Sequence, residues 1–315
     1  MSTHLPTLKQ LQYLVALADH GHFGRAAEAC FVTQSTLSAG LKELEALTGV
    51  SLVERTRRVV RFTPLGERIA GKARRVLREA DELADMARAA GKPLSGELRM
   101  GVIPTIAPFL LPRLLPRLRA AWPDLKLYLR EETSGAACEG LHRGLLDCVL
   151  LALPYGCGEV DSEALFDDPL WVAFPPGEER SAAAITPREI DQDRLLLLED
   201  GHCLRDHALA ACNRPELRAE ATMLGTSLHT MVQMVGNGLG VTMVPQMAIE
   251  AGILEGTGVT ARPLKAEHAY RRIALIWRRN SPREKDFRLL AEALRGTSAE
   301  VRKGNPETGG SVSEK

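Results

Sequence analysis

From Pro64 to about Ala90 the sequence offers one narrow apolar seam. Leu65, Ile69, Ala73, Val76, Ala80, Leu83 and Met86 recur at helical spacing, and charges cover the rest. A long helix with a single thin stripe pairs with another helix rather than filling a core. The seam therefore divides the chain into a head before it and a body after it. Gly91-Lys92-Pro93-Leu94-Ser95-Gly96 reads as a hinge at its end. With 315 residues there is room for two or three domains. The 45% hydrophobic and 25% charged content fits a globular chain, while 4% aromatics leaves its core to Leu, Val, Ile and Ala.

Ahead of the seam the periodicity predicts short helices. Leu8, Leu11, Val15 and Ala18 form one face, with Leu14 on the flank and Gly21 closing the helix. Phe23 to Cys30 reads as a second helix, rich in small residues that let a neighbour approach closely. Gln34 to about Leu47 reads as a third, with Leu37, Leu41 and Leu44 on one face and Gly49 at its end. Leu52 to Arg55 and Val59 to Phe62 are β-like pieces around Thr56-Arg57-Arg58. This is the order of a winged helix-turn-helix, whose second motif helix presents its first turns to base edges. Gln34, Ser35, Thr36 and Ser38 stand there, with Lys42 further on. Arg55, Arg57, Arg58 and Arg61 in the wing suit phosphates, although the formal net charge is zero. By spacing alone, the same residues read equally as a helix N-cap and a solvated turn.

Beyond the hinge the pattern becomes α/β. Leu98–Ile103, Leu125–Leu129 and Cys148–Ala152 read as strands. Ala107–Trp122 and Ser134–Arg143 read as helices, the first with an irregular start because of Pro108, Pro112 and Pro116. A second batch follows: Leu170–Phe174, Leu195–Leu198, a helix over Ser227–Val235, Val241–Pro245, Arg272–Trp277, and a last helix over Pro282–Leu294. Two batches of strand–helix alternation imply two α/β lobes with a cleft between them. The reading is thus α/β with an N-terminal winged helix-turn-helix over 1–63. A linker helix and hinge span 64–92, a two-lobed effector domain spans 93–295, and 296–315 reads as a disordered tail.

Six cysteines stand at 30, 138, 148, 157, 203 and 212. Without a signal peptide or a CxxC pair they read as reduced thiols in a cytoplasmic protein. No apolar run reaches the roughly 18–20 residues of a membrane span. No histidine spacing suggests a metal, and no cofactor is expected. Cys30 and Cys148 read as buried small residues; Cys138 and Cys157 read as more exposed and unpaired. Leu198 to Asp206 carries Cys203, and Cys212 follows. If a helix starts at Asp200 or Gly201, Cys203 lies in its first turn, where the dipole favours a thiolate. His202 and Arg205 add positive charge nearby. Nine helical positions span about 13–14 Å, whereas a disulfide needs Cα atoms within about 7 Å. Taken alone, the two cysteines read as unrelated small residues.

Several motifs together resemble the LysR-type regulators. They are Phe23–Ala27, Val32-Thr33-Gln34-Ser35-Thr36-Leu37-Ser38, Lys42-Glu43-Leu44-Glu45, Leu52-Val53-Glu54-Arg55-Thr56 and Phe62-Thr63-Pro64-Leu65-Gly66. The resemblance reaches to about residue 295. It implies a linker helix that dimerises, a periplasmic-binding-protein-like effector domain, homotetramers built as dimers of dimers, a double-stranded DNA operator and contact with RNA polymerase. It adds Arg25 to the DNA-binding set. Many relatives carry Pro at the place of Ser35, and basic or amide residues at Ala39-Gly40.

Leu195 to Cys203, with Arg205-Asp206 and Cys212, is similar to the redox segment of the peroxide-sensing branch. That likeness implies Cys203 as peroxidatic, Cys212 as resolving, hydrogen peroxide as signal and antioxidant genes as targets. Ile103 to Pro108 and Glu132-Thr133 resemble segments whose hydroxyls, here Thr105 and Thr133, hold peroxide. His202, Arg205 and Asp206 join that pocket, and Thr226 and Arg278 resemble positions near the effector site. A histidine that some relatives place shortly before Thr226 is absent; Thr222-Met223-Leu224 stands there. Two other readings remain open: a regulator sensing a small metabolite in the cleft, and a thiol peroxidase. The second gives no reason for a DNA-binding head, so the chain is read as a non-enzyme.

Overall fold

A computed structural model describes residues 5–55, 60–89, 92–178, 181–212 and 224–303. The chain divides into two compact units, Met1–Ala90 and Gly91–Lys315.

The first unit packs three helices, α1 (Leu8–His20), α2 (Phe23–Ala29) and α3 (Gln34–Thr48), with the strand pair β1 (Val53–Arg55) and β2 (Val60–Phe62) and the helix α4 (Pro64–Ala89). A capping box opens α1: the Thr7 hydroxyl accepts from the Gln10 N–H at 3.2 Å, and the Gln10 side chain accepts from the Thr7 N–H at 3.0 Å. Leu14 and Leu17 are fully buried while Leu8 is 48% exposed. The expected α1 face is therefore shifted, because α1 is covered from two sides, by α3 and by α4. Gly40 has a steric reason: a Cβ there would lie 2.7 Å from the Tyr13 ring. The Glu45 carboxylate accepts from the N–H groups of Leu52 and Val53 at 2.8 and 3.2 Å, tying the wing to α3.

Helix α4 buries Ala70 and Ala73 and sets Arg74 against Asp19 at 2.6 Å. Val76 and Leu83 of the predicted seam stay 47% and 71% exposed. Gly66 lets α4 lie against the wing, since a Cβ there would stand 2.1 Å from the Leu52 carbonyl oxygen. Backbone cannot step aside as a flexible side chain does. Gly66→Ala is expected to destabilise this unit by about 1–3 kcal/mol, read as a lowered thermal midpoint.

The second unit holds two α/β lobes joined through one sheet. Its elements are β3 (Gly96–Val102), α5 (Ala107–Ala121), β4 (Leu125–Glu131), α6 (Ser134–His142), β5 (Cys148–Leu153), β6 (Val160–Phe174), β7 (Leu197–Leu198) and α7 (Cys203–Ala211). They continue with β8 (Leu224–Gly225), α8 (Leu228–Gly236), β9 (Thr242–Pro245), α9 (Gln246–Glu250), β10 (Thr260–Pro263), β11 (Tyr270–Arg278) and α10 (Glu284–Lys303). The strand order is β10-β6-β11-β5-β3-β4, with β9 also on β6. Strand β6 is far longer than its sequence suggested. Its first part pairs with β11 and its end, Leu170–Phe174, with β9 and β10, so one strand serves both lobes.

One core gathers Val102, Leu114, Leu150, Leu275 and Trp277; the other gathers Leu170, Val172, Phe174, Met231 and Val244. Helix α10 runs on to Lys303, past the point where the sequence suggested a disordered tail. Cys138 and Cys157 are also not as read. They are bonded to each other, with Cα atoms 5.4 Å apart, and both are buried. The pairing joins α6 to the loop after β5, a proximity that no local period could announce.

Candidate functional site

On the first unit, Gln34, Ser35, Thr36 and Lys42 lie exposed on α3, and Ser38 is half-buried. The Thr33 hydroxyl caps α3 by accepting from the Thr36 N–H at 3.2 Å, and it lies 2.9 Å and 2.8 Å from the hydroxyls of Ser35 and Thr36. The cap is thus Thr33 rather than Gln34, Ser35 or Thr36, which stand in the first turn of α3 on a face open to solvent. Arg25 is exposed on α2 and donates to the His20 carbonyl at 2.8 Å. Arg55 stands on β1 and Arg61, exposed, on β2. Arg57 and Arg58 lie outside the described residues.

On the second unit the site is built around the start of α7. Cys203 is its first residue, after His202 at the N-cap, and its N–H donates to the Ser134 hydroxyl at 3.3 Å. Cys203 is buried, 1% exposed. Burial pushes its pKa up; the Ser134 hydrogen bond, the Arg271 charge and a backbone hydrogen bond with Ala152 pull it down, and Asp206 adds to the rise. The balance favours the thiol, so the dipole expectation is outweighed by desolvation.

Arg271 is the cation the sequence reading missed. Fully buried, it donates to Asp168 at 3.0 Å, to the Thr105 hydroxyl at 2.7 Å and to the Thr105 carbonyl at 2.8 Å. The other Asp168 oxygen accepts from the Met247 N–H at 3.0 Å. Arg271 lies on the same face of β11 as the buried Ile273, but Ala274 and Ile276 are buried too, so no period-two pattern singled it out. His207, one turn beyond Cys203, was missed as well. It is buried, its Nε2 lies 3.1 Å from the Pro154 carbonyl, and burial with the Arg271 charge lowers its pKa to about 4.

The fold brings several predicted pocket residues together. Thr105 is buried under Arg271. Thr133 is half-buried at the head of α6, and a Cβ on Gly201 would sit 3.6 Å from its hydroxyl. His202 is buried, with its pKa lowered by desolvation against the charge of Glu199. Arg205, 4% exposed, pairs with the exposed Asp200 at 2.8 Å. Asp206 is half-buried, and its charge reaches Cys203, His207 and Tyr155. Thr226 is exposed just ahead of α8. Arg278 is not in the pocket. It lies at the other end of β11 from Arg271, about 23 Å along a strand, and donates to the carbonyls of Leu141 and Leu146 at 3.1 and 2.7 Å. Cys212 caps the far end of α7 and is buried in the other core; like Cys203 it is not disulfide-bonded.

Residues 91–299 match the LysR substrate binding domain, and residues 8–67 match the bacterial regulatory helix-turn-helix protein, lysR family. The chain belongs to the LysR family. It is therefore a DNA-binding transcription regulator and not an enzyme. Among LysR-type relatives, the transcriptional regulator EstR of Acinetobacter baylyi is 40% identical over 94% of this chain and 98% of its own length. The dual regulator OxyR of Escherichia coli is 39% identical over 91% of this chain and 94% of its own. Among solved structures, full-length OxyR of Pseudomonas aeruginosa, a cysteine-to-aspartate variant, superposes with a TM-score of 0.74 at 36% identity, covering 93% of this chain and 95% of that one. A hydrogen-peroxide-bound cysteine-to-serine variant of Corynebacterium glutamicum OxyR gives 0.62 at 31% identity, covering 97% and 98%. Among the described residues no helix is long and apolar enough to cross a membrane, and no cluster of three or more His, Cys, Asp or Glu could hold a metal ion.

Proposed function

We propose that this LysR-type regulator is a cytoplasmic hydrogen-peroxide sensor that activates antioxidant genes when Cys203 and Cys212 form a reversible disulfide. One observation carries the reading: two cysteines outside any disulfide bracket the single helix α7, with Cys203 in the field of the buried Arg271. The similarity to OxyR proteins supports it.

Cys203, as thiolate, attacks one oxygen of hydrogen peroxide. The O–O bond breaks, the departing hydroxide takes a proton and leaves as water, and the sulfur becomes a sulfenic acid. The Cys212 thiol then attacks that sulfur, forming the disulfide and releasing a second water. The Arg271 guanidinium favours both the thiolate and the departing hydroxide. Because Thr105 accepts from Arg271, its own proton is left to donate to a peroxide oxygen; Thr133 and His202 complete the pocket with Arg205, Asp206 and Thr226 around it. Helix α7 spans about 13–14 Å between the two cysteines, so closing the bond unwinds it. The rebuilt segment then changes how subunits pack in a homotetramer.

DNA is read by α3. Gln34 pairs a base edge, while Ser35, Thr36, Ser38, Lys42, Arg25, Arg55, Arg57 and Arg58 position the operator, and RNA polymerase is the downstream partner. Gln34→Ala is expected to relax preference at one base pair by about 1–3 kcal/mol, whereas Lys42→Ala should weaken all sequences alike. Binding titrations against single-base operator variants distinguish the two.

The central test gives the reduced chain one equivalent of peroxide, quenches the thiols and maps the peptides by mass. A prompt Cys203–Cys212 bond, with Cys30 and Cys148 free, is expected, and Cys203→Ser should abolish both bond and induction. A second reading is favoured by EstR, a relative as similar as OxyR under a different name. In it a small metabolite binds between the lobes, where Phe109, Arg113, Asp167, Gln246 and Glu250 line a recess. Induction that survives Cys203→Ser would choose that reading.

A further inference from the structure

The Cys138–Cys157 bond closes a loop that contains much of what holds α7 in place. Ser134, whose hydroxyl takes the Cys203 N–H, lies one turn ahead of Cys138 on α6. Inside the loop are Ala152, whose backbone is hydrogen-bonded to the Cys203 sulfur, and Pro154, whose carbonyl takes His207. The Tyr155 hydroxyl oxygen would lie 3.3 Å from a Cβ on Gly135 of the same helix α6. Cys203, Cys138 and Cys157 belong to one packed core.

The loop from Pro154 to Glu159 is otherwise lightly held. Cys157 is its one buried residue, with exposed glycines, Gly156 and Gly158, on either side. Besides the sulfur bridge, Cys157 has its carbonyl 2.6 Å from the His142 ring nitrogen and its N–H donating to the Tyr155 carbonyl at 3.0 Å within the loop. The bridge thus ties α6, which carries Ser134, to the loop whose Pro154 carbonyl takes His207.

We propose that Cys138 and Cys157 are a second redox-active pair, whose state sets how readily α7 opens to expose Cys203. The oxidant is hydrogen peroxide, which this proposal takes from the peroxide-sensing reading. One thiolate attacks peroxide and gives a sulfenic acid and water. The other thiol displaces that oxygen as a second water, so two S–H bonds are exchanged for one S–S bond. A dithiol reverses it: one thiolate enters a mixed disulfide, the partner sulfur leaves as thiolate, and the second dithiol sulfur closes a ring to release the other cysteine. With the bridge closed, α7 is held and Cys203 is shielded. With it open, α7 unwinds more often.

The test uses the full chain carrying Cys212→Ala, so that Cys203 has no resolving partner. Native protein is equilibrated with increasing ratios of reduced to oxidised dithiothreitol, and peptide mapping reads the Cys138–Cys157 bond. N-ethylmaleimide then reports the rate at which Cys203 becomes accessible. The bond should open under native conditions and re-form with one equivalent of peroxide in a Cys203→Ser chain. Cys203 should label about fivefold faster or more once it is open, the low end of usual coupling between sites. A Cys138→Ala/Cys157→Ala chain should label at the open rate. A bond that resists dithiothreitol in the folded chain, one that peroxide does not re-form, or equal labelling rates in the two states would each overturn the proposal. Failure of the peroxide-sensing reading shows elsewhere, as a missing Cys203–Cys212 bond in the chain with all six cysteines, and leaves the labelling comparison intact.

Discussion

Replacing Arg271 by methionine should destabilise the regulatory unit by about 3–5 kcal/mol, because it leaves the Asp168 carboxylate buried without its cation. Both side chains are at the limit of burial, 0% and 2% exposed, and they meet at 2.9 Å. The same change strips Thr105 of two donors and removes a buried positive charge that works against desolvation of the Cys203 thiolate. Two effects should thus appear together: a lower denaturation midpoint, and slower oxidation of Cys203 in whatever fraction stays folded. Adding Asp168→Asn should restore much of the stability, since the amide oxygen can still accept from the Met247 N–H. It should not restore the oxidation rate, because the positive charge is still missing. Denaturant titration and peroxide kinetics on the single and double variants separate the two. Stability unchanged in Arg271→Met would show that the pair is not the buried anchor described here.

Acid should weaken this unit through His207. Its pKa falls from an ordinary 6.5 to about 4 in the fold, chiefly by burial and then by the Arg271 charge. Between these values the unfolded chain binds a proton that the folded chain excludes. Stability is therefore intact above pH 6.5, declines as the pH falls toward 4 and levels off below, a loss of about 3 kcal/mol. His202, also lowered by burial, acts with the same sign. His207→Gln keeps a donor for the Pro154 carbonyl and cannot titrate, so its stability should change much less over that range. Denaturation midpoints at a series of pH values check this. Parallel slopes for the two chains would count against His207 as the titrating group.

Much of the fold was legible because it rests on local patterns. The seam after Pro64 gave a helix that ends at Ala89, and the spacing of Leu37, Leu41 and Leu44 gave α3, which starts at Gln34. Strand–helix alternation gave the two lobes, and the nine-position spacing of Cys203 and Cys212 matched one helix with its cap. Even so, α1 buried a shifted face, because the number of neighbours on a helix is not written in its own period.

The candidate site was legible only in part. Thr105, Thr133 and His202 were named from motifs, yet Arg271, which holds Thr105, lies 166 positions from it and meets it only through strand register. Arg278 shares a strand with Arg271 and still falls far from the thiol, since sequence nearness along an extended strand is distance in space.

What the sequence alone determined is the kind of each element and the chemistry available on it: helical periods, a helix-turn-helix and two thiols one helix apart. The tertiary structure decided which of these groups are buried and which of them meet. It hid Cys203 and raised its pKa, placed Arg271 against Asp168 and Thr105, and bonded Cys138 to Cys157. Burial and long-range pairing depend on how distant strands stack around a shared core, and that arrangement leaves no periodic trace in the residues that take part.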